Sequence, residues 1–292
     1  MQEPVKTSHN FGTKTLLAGP PGSGKTTSLV TAIKAGLKLA VIVTDPGGEE
    51  SLLEAMEREN LPMDKLHYAY VAAAAPSWDA LSDMGKKINL MSYKDLTELK
   101  MGIAKQGHHQ FLDLINTCAN FKDARTGKEL GPVDAFGPDW MLAVDSLSGV
   151  NIMAMELMIG GKPAAHQGEW GVAMNAEEKL IMKWCADLRC FFTLTAHVER
   201  EMDETQGKPF LMAAALGRKL APKLPRYFSD FVYSYSEAGE FFWSTVSSSM
   251  DLKARNLPMR DKLRPSFEPI VAKWKARASA SEAGSTTETE DK

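Results

Sequence analysis

Gly19-Pro20-Pro21-Gly22-Ser23-Gly24-Lys25-Thr26, with Thr27 behind it, sets a glycine, four residues and then Gly-Lys-Thr in one short stretch. That spacing is chemistry for phosphate. Glycines let backbone N–H groups turn inward around phosphate oxygens, a lysine reaches the β- and γ-phosphates, and a threonine hydroxyl supplies a ligand for Mg²⁺. Two further groups fit the same chemistry. Asp145 ends the apolar run Trp140-Met141-Leu142-Ala143-Val144 and would hold metal-bound water beside Thr26. Ser146 follows where a carboxylate could have activated water, so the base must come from elsewhere. The acidic turn Asp45-Pro46-Gly47-Gly48-Glu49-Glu50 is the natural supply, with Glu49 the first choice and Glu50 the second.

More residues could link such a site to a partner. His197 closes the apolar run Phe191 to Ala196 and is placed to sense a γ-phosphate and pass the signal into the segment that follows. That segment is acidic first and then basic. From Gly207 to Arg226 the charged residues are Lys208, Arg218, Lys219, Lys223 and Arg226, with Phe210 among them. Such a stretch can track a nucleic-acid backbone and stack one base, and five single-strand phosphate contacts would give a salt slope of at most about −3.5. Lys253-Ala254-Arg255 follows the last strand pattern and could reach a neighbouring subunit's γ-phosphate as a cationic finger.

The elements that must position these residues are legible as an α/β chain. Thr15 to Ala18 reads as a short buried strand before the phosphate loop, and Ser28 to Leu37 as a helix after it, on the spacing of Leu29, Val30, Ile33 and Leu37. Leu39 to Thr44 is a continuous β-branched run of the kind found in parallel sheets, and His67 to Ala73 offers another strand. Ser51 to Glu59, much of 78–121 and Asn175 to Leu188 read as helix. Phe121 to Pro138 reads as loop, and Leu147 to Glu169 as a segment interrupting the sheet. Phe228 to Tyr235 and Glu240 to Ser247, around Glu237-Ala238-Gly239, predict a C-terminal β-hairpin.

Composition narrows the class. A chain of 292 residues with 44% hydrophobic and 24% charged residues has the make-up of an ordinary globular protein. It has no apolar run of the roughly 18 residues that span a bilayer and no apolar signal core near Met1, so a cytoplasmic protein without a membrane partner is expected. Cys118, Cys185 and Cys190 form no C-x-x-C pair, and His108-His109 would point to different faces of a helix, so neither a disulfide framework nor a zinc site is expected. The net charge of −3 resides wholly in residues 278–292, where Glu282, Glu288, Glu290 and Asp291 face Lys292 alone. The expected organisation is an N-terminal extension over 1–10, an ATPase core over 11–259, a C-terminal extension over 260–277 and a disordered acidic tail over 278–292.

The phosphate loop, Asp145-Ser146, the strand ending in His197, the segment Lys219-Leu220-Ala221-Pro222-Lys223-Leu224-Pro225-Arg226 and Lys253-Ala254-Arg255 together resemble the small phage-encoded RecA-core P-loop ATPases. Some of these are RadB-like single-strand annealing recombination proteins, with an AAA-type nucleotide-binding domain. The likeness spans roughly 11–259. It implies a RecA-like fold with a mainly parallel central sheet flanked by helices, and ATP and Mg²⁺ as cofactors. It also implies DNA-binding loops at Leu147 to Glu169 and Val198 to Arg226. Single-stranded DNA is the implied partner, with a homo-oligomer as ring or filament, a single-strand binding protein as a further partner, and the host bacterial cytoplasm as location. In the family the catalytic Glu usually lies two residues beyond an Asp, whereas here Pro46 and Gly47 follow Asp45 and displace Glu49. The same phosphate loop also suits a small-molecule or nucleotide kinase, or a non-catalytic nucleotide switch serving a replication or packaging machine.

Overall fold

The computed structural model describes residues 12–73, 77–92, 108–160, 165–203, 208–217 and 219–287. The N-terminal extension 1–10, Arg218 and the end of the tail over 288–292 lie outside the described residues. Seven strands form the main sheet: β1 (Lys14–Ala18), β2 (Lys38–Val43), β3 (Leu66–Tyr70), β6 (Trp140–Asp145), β7 (Phe191–Ala196), β10 (Asp230–Glu237) and β11 (Glu240–Ser244). Their order is β11-β10-β1-β7-β6-β2-β3. Every neighbouring pair is parallel except β10 with β11. Two small hairpins stand apart, β4 (Phe121–Lys122) with β5 (Glu129–Gly131), and β8 (Val198–Asp203) with β9 (Lys208–Ala213).

The apolar runs are continuous because both faces of the sheet are covered. Leu16, Ile42, Leu142 and Val144 face one buried cluster, while Leu17, Val41, Val43 and Ala143 face the other. Successive side chains on one strand therefore enter different cores. The second cluster is closed by α1 (Lys25–Leu29), α2 (Thr31–Lys34), α3 (Gly48–Arg58) and the C-terminal α8 (Glu268–Thr287). The first is closed by α5 (Gln110–Ala119), α6 (Leu147–Ile159) and α7 (Gln167–Asp187), while α4 (Trp78–Leu90) precedes them in the chain. No helix among the described residues is long and apolar enough to cross a membrane.

The structure corrects several expectations. Leu147 to Glu169 is not an interruption of the sheet. Its first thirteen residues are α6, apolar around most of its circumference and packed against α7, so it shows none of the one-sided periodicity of a surface helix. The approach of α6 to β2 is close enough that a Cβ on Gly149 would lie 2.5 Å from the Thr44 side chain. The stretch after His197 is likewise not an open loop, since β8 and β9 pair in register from Val198–Ala213 to Asp203–Lys208. Residues 260–277 contribute Phe267, Ile270 and Val271 to the core, and Leu263 bridges the β11 residue Trp243. Helix α8 runs on to Thr287, across the boundary expected for a disordered tail.

Candidate nucleotide site

Strands β1, β7, β6 and β2 all end on one edge of the sheet, and the loop Gly19 to Thr26 turns over that edge. Its shape depends on glycine at two places. At Gly19 a Cβ would sit 2.1 Å from the Ser234 carbonyl oxygen, and Gly24 takes φ 79°, with the Phe241 ring only 2.8 Å from where its Cβ would be. Ser234 on β10 fixes the loop from the side by donating to the Ser23 carbonyl at 2.7 Å. The Lys25 ammonium folds back onto the carbonyls of Gly19 at 2.9 Å and Pro20 at 2.8 Å. Burial lowers its pKa, with Asp145 and Asp45 opposing. An ammonium held by two neutral carbonyls inside a cradle is a cation ready to trade them for phosphate oxygens.

Thr26 and Asp145 are 119 residues apart in sequence and meet here, with Thr26 Oγ1 donating to Asp145 Oδ2 at 2.6 Å. Thr195, on the intervening strand β7, donates to the other carboxylate oxygen. Burial raises the Asp145 pKa, and the Thr195 and Thr26 hydroxyls pull it back. The Lys25 charge acts in the same direction as the hydroxyls, but the desolvation of a carboxylate buried at a strand end outweighs them. Thr26 and Asp145 supply hard oxygen donors of the kind Mg²⁺ takes, one hydroxyl and one carboxylate, leaving its remaining positions for water and phosphate. Among the described residues no group of three or more His, Cys, Asp or Glu side chains could hold a metal by itself.

The second carboxylate lining the cavity is Asp45, and neither Glu49 nor Glu50 is among its lining residues. Glu49 and Glu50 sit in the first turn of α3, half-buried and exposed respectively, and neither lines the cavity. The helix instead turns Gly48 and Ser51 toward it, residues three apart on one face, and at about 100° per residue the intervening glutamates point elsewhere. Asp45 does line the cavity, where its Oδ2 accepts from Ser146 Oγ at 2.6 Å. The Thr44 hydroxyl donates to the Ser146 carbonyl at 2.7 Å and receives the Ser146 amide at 2.8 Å, latching the ends of β2 and β6 together. His197 is where expected, with Nε2 4.0 Å from Asp45 Oδ2. Burial and then the Lys25 charge push its pKa down, favouring a neutral ring. Its carbonyl accepts the Ala214 amide at 2.8 Å, which ties the strand end to the base of the β8–β9 hairpin.

Two groups of predicted residues are not brought to this edge. Lys253 pairs with Phe231 near the start of β10, and the Arg255 amide donates to Asp230 at 2.8 Å, so both lie at the end of the sheet opposite the phosphate loop. The Lys253 ammonium donates to the Phe228 carbonyl at 2.6 Å and the Pro225 carbonyl at 3.4 Å. Arg255 is exposed. The basic stretch is also not one stripe. Lys223 and Arg226 both bind Glu178 on α7, at 3.1 and 2.8 Å, so those two charges are already matched within the chain. Lys219 is exposed and Phe210 half-buried on β9, while the Lys208 side chain and Arg218 lie outside the described residues.

Asp45, Thr195, Ser51, Ser234 and Phe241 are the site residues that sequence reasoning passed over. Asp45 carried a usable signal, since it ends a buried strand on the same edge as Asp145. Phe241 carried none, because only the pairing of β10 with β11 brings it over Gly24. Compared with known proteins, the chain matches no family model and no curated relative.

Proposed function

We propose that the protein is a Mg²⁺-dependent ATP hydrolase with a RecA-like P-loop core, which assembles as a homo-oligomer on single-stranded DNA in phage recombination or strand annealing. The observation that carries the hydrolase reading is the 2.6 Å contact between Thr26 and Asp145, which joins the phosphate loop to a buried acid at a strand end. Lys25 moves from the Gly19 and Pro20 carbonyls to the β- and γ-phosphates. Thr26 and Asp145 would hold Mg²⁺ and its water, and the ion would supply neutralisation of the phosphate charge. Asp45, oriented by Ser146, accepts a proton from the water that attacks the γ-phosphorus as the bond to the β-phosphate oxygen breaks. His197 reports the outcome through its bond to Ala214 at the base of the β8–β9 hairpin.

That connection supports the DNA-coupled part of the reading, together with the family resemblance. Arg255, exposed on the edge opposite the phosphate loop, is the surface a head-to-tail neighbour would present to it. A kinase reading has less support because Lys223 and Arg226, two of the cations that could serve an acceptor lid, are held by Glu178. The test is phosphate release from Mg-ATP at low salt, with and without single-stranded DNA, for the wild type and Lys25→Ala. Release that rises with DNA and disappears in the variant is expected. An unchanged rate with no DNA binding removes the DNA partner, and transfer to an added acceptor in place of release to water removes the hydrolase.

A further inference from the structure

We propose that the groove beside the phosphate cradle is a nucleobase subsite for purine nucleotides, with Phe241 as its stacking wall. The inference rests on the nucleotide reading above and adds which part of the chain recognises the base. Size makes a second compartment necessary. The cradle encloses about 270 Å³, just below the ~300–1,000 Å³ typical of sites for small organic ligands. It suits a triphosphate but leaves the nucleoside outside.

Of two further cavities among the described residues, one continues the cradle. A groove of about 420 Å³ between α1, the β10–β11 turn and residues 262–268 shares Gly24, Thr27 and Phe241 with it. The larger cavity, about 980 Å³ between α7 and the β8–β9 hairpin, shares no lining residue with the cradle. The direction is right as well. Lys25 reaches the β- and γ-phosphates, so the α-phosphate and the sugar lie beyond them toward Thr27, which lines both the cradle and the smaller groove.

The groove is built to hold a flat ring. Strand β11 alternates its faces, so Phe241 and Trp243 point the same way. Trp243 is fully buried and anchors the strand, whereas Phe241, one step nearer the turn, keeps 40% of its surface exposed. Its ring lies against Gly24, where a Cβ would meet it at 2.8 Å. The far wall is fixed by the Phe267 amide, which donates to Thr31 Oγ1 at 2.9 Å and pins residues 262–268 against the segment after α1. Lys34 and Lys262 on the rim are paired with Glu59 and Glu237, so the groove offers the ring of Phe241 in place of a cluster of unmatched charge. Arg264, in the same wall, can donate to acceptors on a purine edge. A purine covers more of the phenyl face than a pyrimidine does.

The experiment titrates Mg-ATP, Mg-GTP, Mg-CTP and Mg-tripolyphosphate into the wild type, Phe241→Ala and Phe241→Trp by calorimetry. ATP and GTP are expected to bind the wild type more tightly than CTP. Phe241→Ala should lose about 10- to 100-fold in ATP affinity, as removal of an aromatic base-stacking partner does, while tripolyphosphate binds as before and Phe241→Trp retains ATP. ATP affinity unchanged in Phe241→Ala, equal losses for ATP and tripolyphosphate, or CTP binding as tightly as ATP would overturn the subsite while leaving the phosphate cradle standing. A wild-type protein that binds neither ATP nor tripolyphosphate would overturn both readings.

Discussion

Replacing Asp45 with Asn separates the carboxylate that faces the cavity from those that only neighbour it in sequence. The substitution preserves shape, because the amide oxygen of Asn can still accept the Ser146 hydroxyl that now reaches Asp45 at 2.6 Å. It removes the proton acceptor. A positioned general base contributes about 10²- to 10⁴-fold, which at about 1.4 kcal/mol per tenfold is roughly 3–5 kcal/mol of barrier. Binding should move the other way, if at all, since one negative charge leaves the rim of a site that holds a triphosphate. Steady-state phosphate release for Asp45→Asn should therefore show a kcat lower by about 10²- to 10⁴-fold with little change in KM. Glu49→Gln and Glu50→Gln should stay within about threefold of the wild type, as expected for groups that make no contact with the reacting atoms. A fully active Asp45→Asn, or a Glu49→Gln that loses two orders of magnitude, would refute the assignment.

Three further substitutions probe the surroundings. Asp145→Asn relieves a buried carboxylate, so the nucleotide-free protein should melt higher, by about 2–4 °C for each kcal/mol relieved. The same variant should lose the rise in Tm that Mg-ATP gives the wild type, and scanning fluorimetry with and without Mg-ATP reads both. Lys253→Ala removes an ammonium bonded to two backbone carbonyls and should cost about 1.5–3 kcal/mol in a denaturant titration while leaving kcat nearly unchanged. A rate loss of about 10³-fold would instead restore Lys253 as a trans-acting finger. Glu177, fully buried in α7, has its carboxyl pushed up to about 8 by burial, with the Leu216 amide opposing. Because its folded pKa lies above the unfolded value of 4.5, its contribution is fully present below 4.5 and is lost as pH rises through about 8. Thermal melts from pH 5 to 9 should show the wild type losing stability relative to Glu177→Gln, and parallel curves would show that Glu177 does not titrate in this way.

The sheet and the phosphate loop were legible because each rests on local pattern. Continuous apolar runs at Leu39 to Thr44 and Trp140 to Val144 specify strands buried on both faces, and glycine spacing specifies the loop. Placing the acids was harder. Glu49 and Glu50 lay close to the right strand end, but one helical turn decides which side chains face inward, and Gly48 and Ser51 took that face. The β8–β9 hairpin and α6 were missed for opposite reasons. The first hairpin strand, VEREMD, is too charged to read as buried, and α6 is too uniformly apolar to show a helical period. The bonds of Lys253 to the Pro225 and Phe228 carbonyls, and the matching of Lys223 and Arg226 to Glu178, depend on how the 221–226 turn packs against α7 and β10, which no local pattern announces.

The most direct measurement is a crystal structure of the full chain with Mg²⁺ and a non-hydrolysable ATP analogue. The expected result has the Lys25 ammonium on the β- and γ-phosphates, having left the Gly19 and Pro20 carbonyls. The metal should lie beside Thr26 and within reach of Asp145, and Asp45 should face the γ-phosphorus across one water. A nucleotide bound elsewhere, or a Lys25 ammonium still on its two carbonyls with the analogue in the cradle, would contradict the central claim.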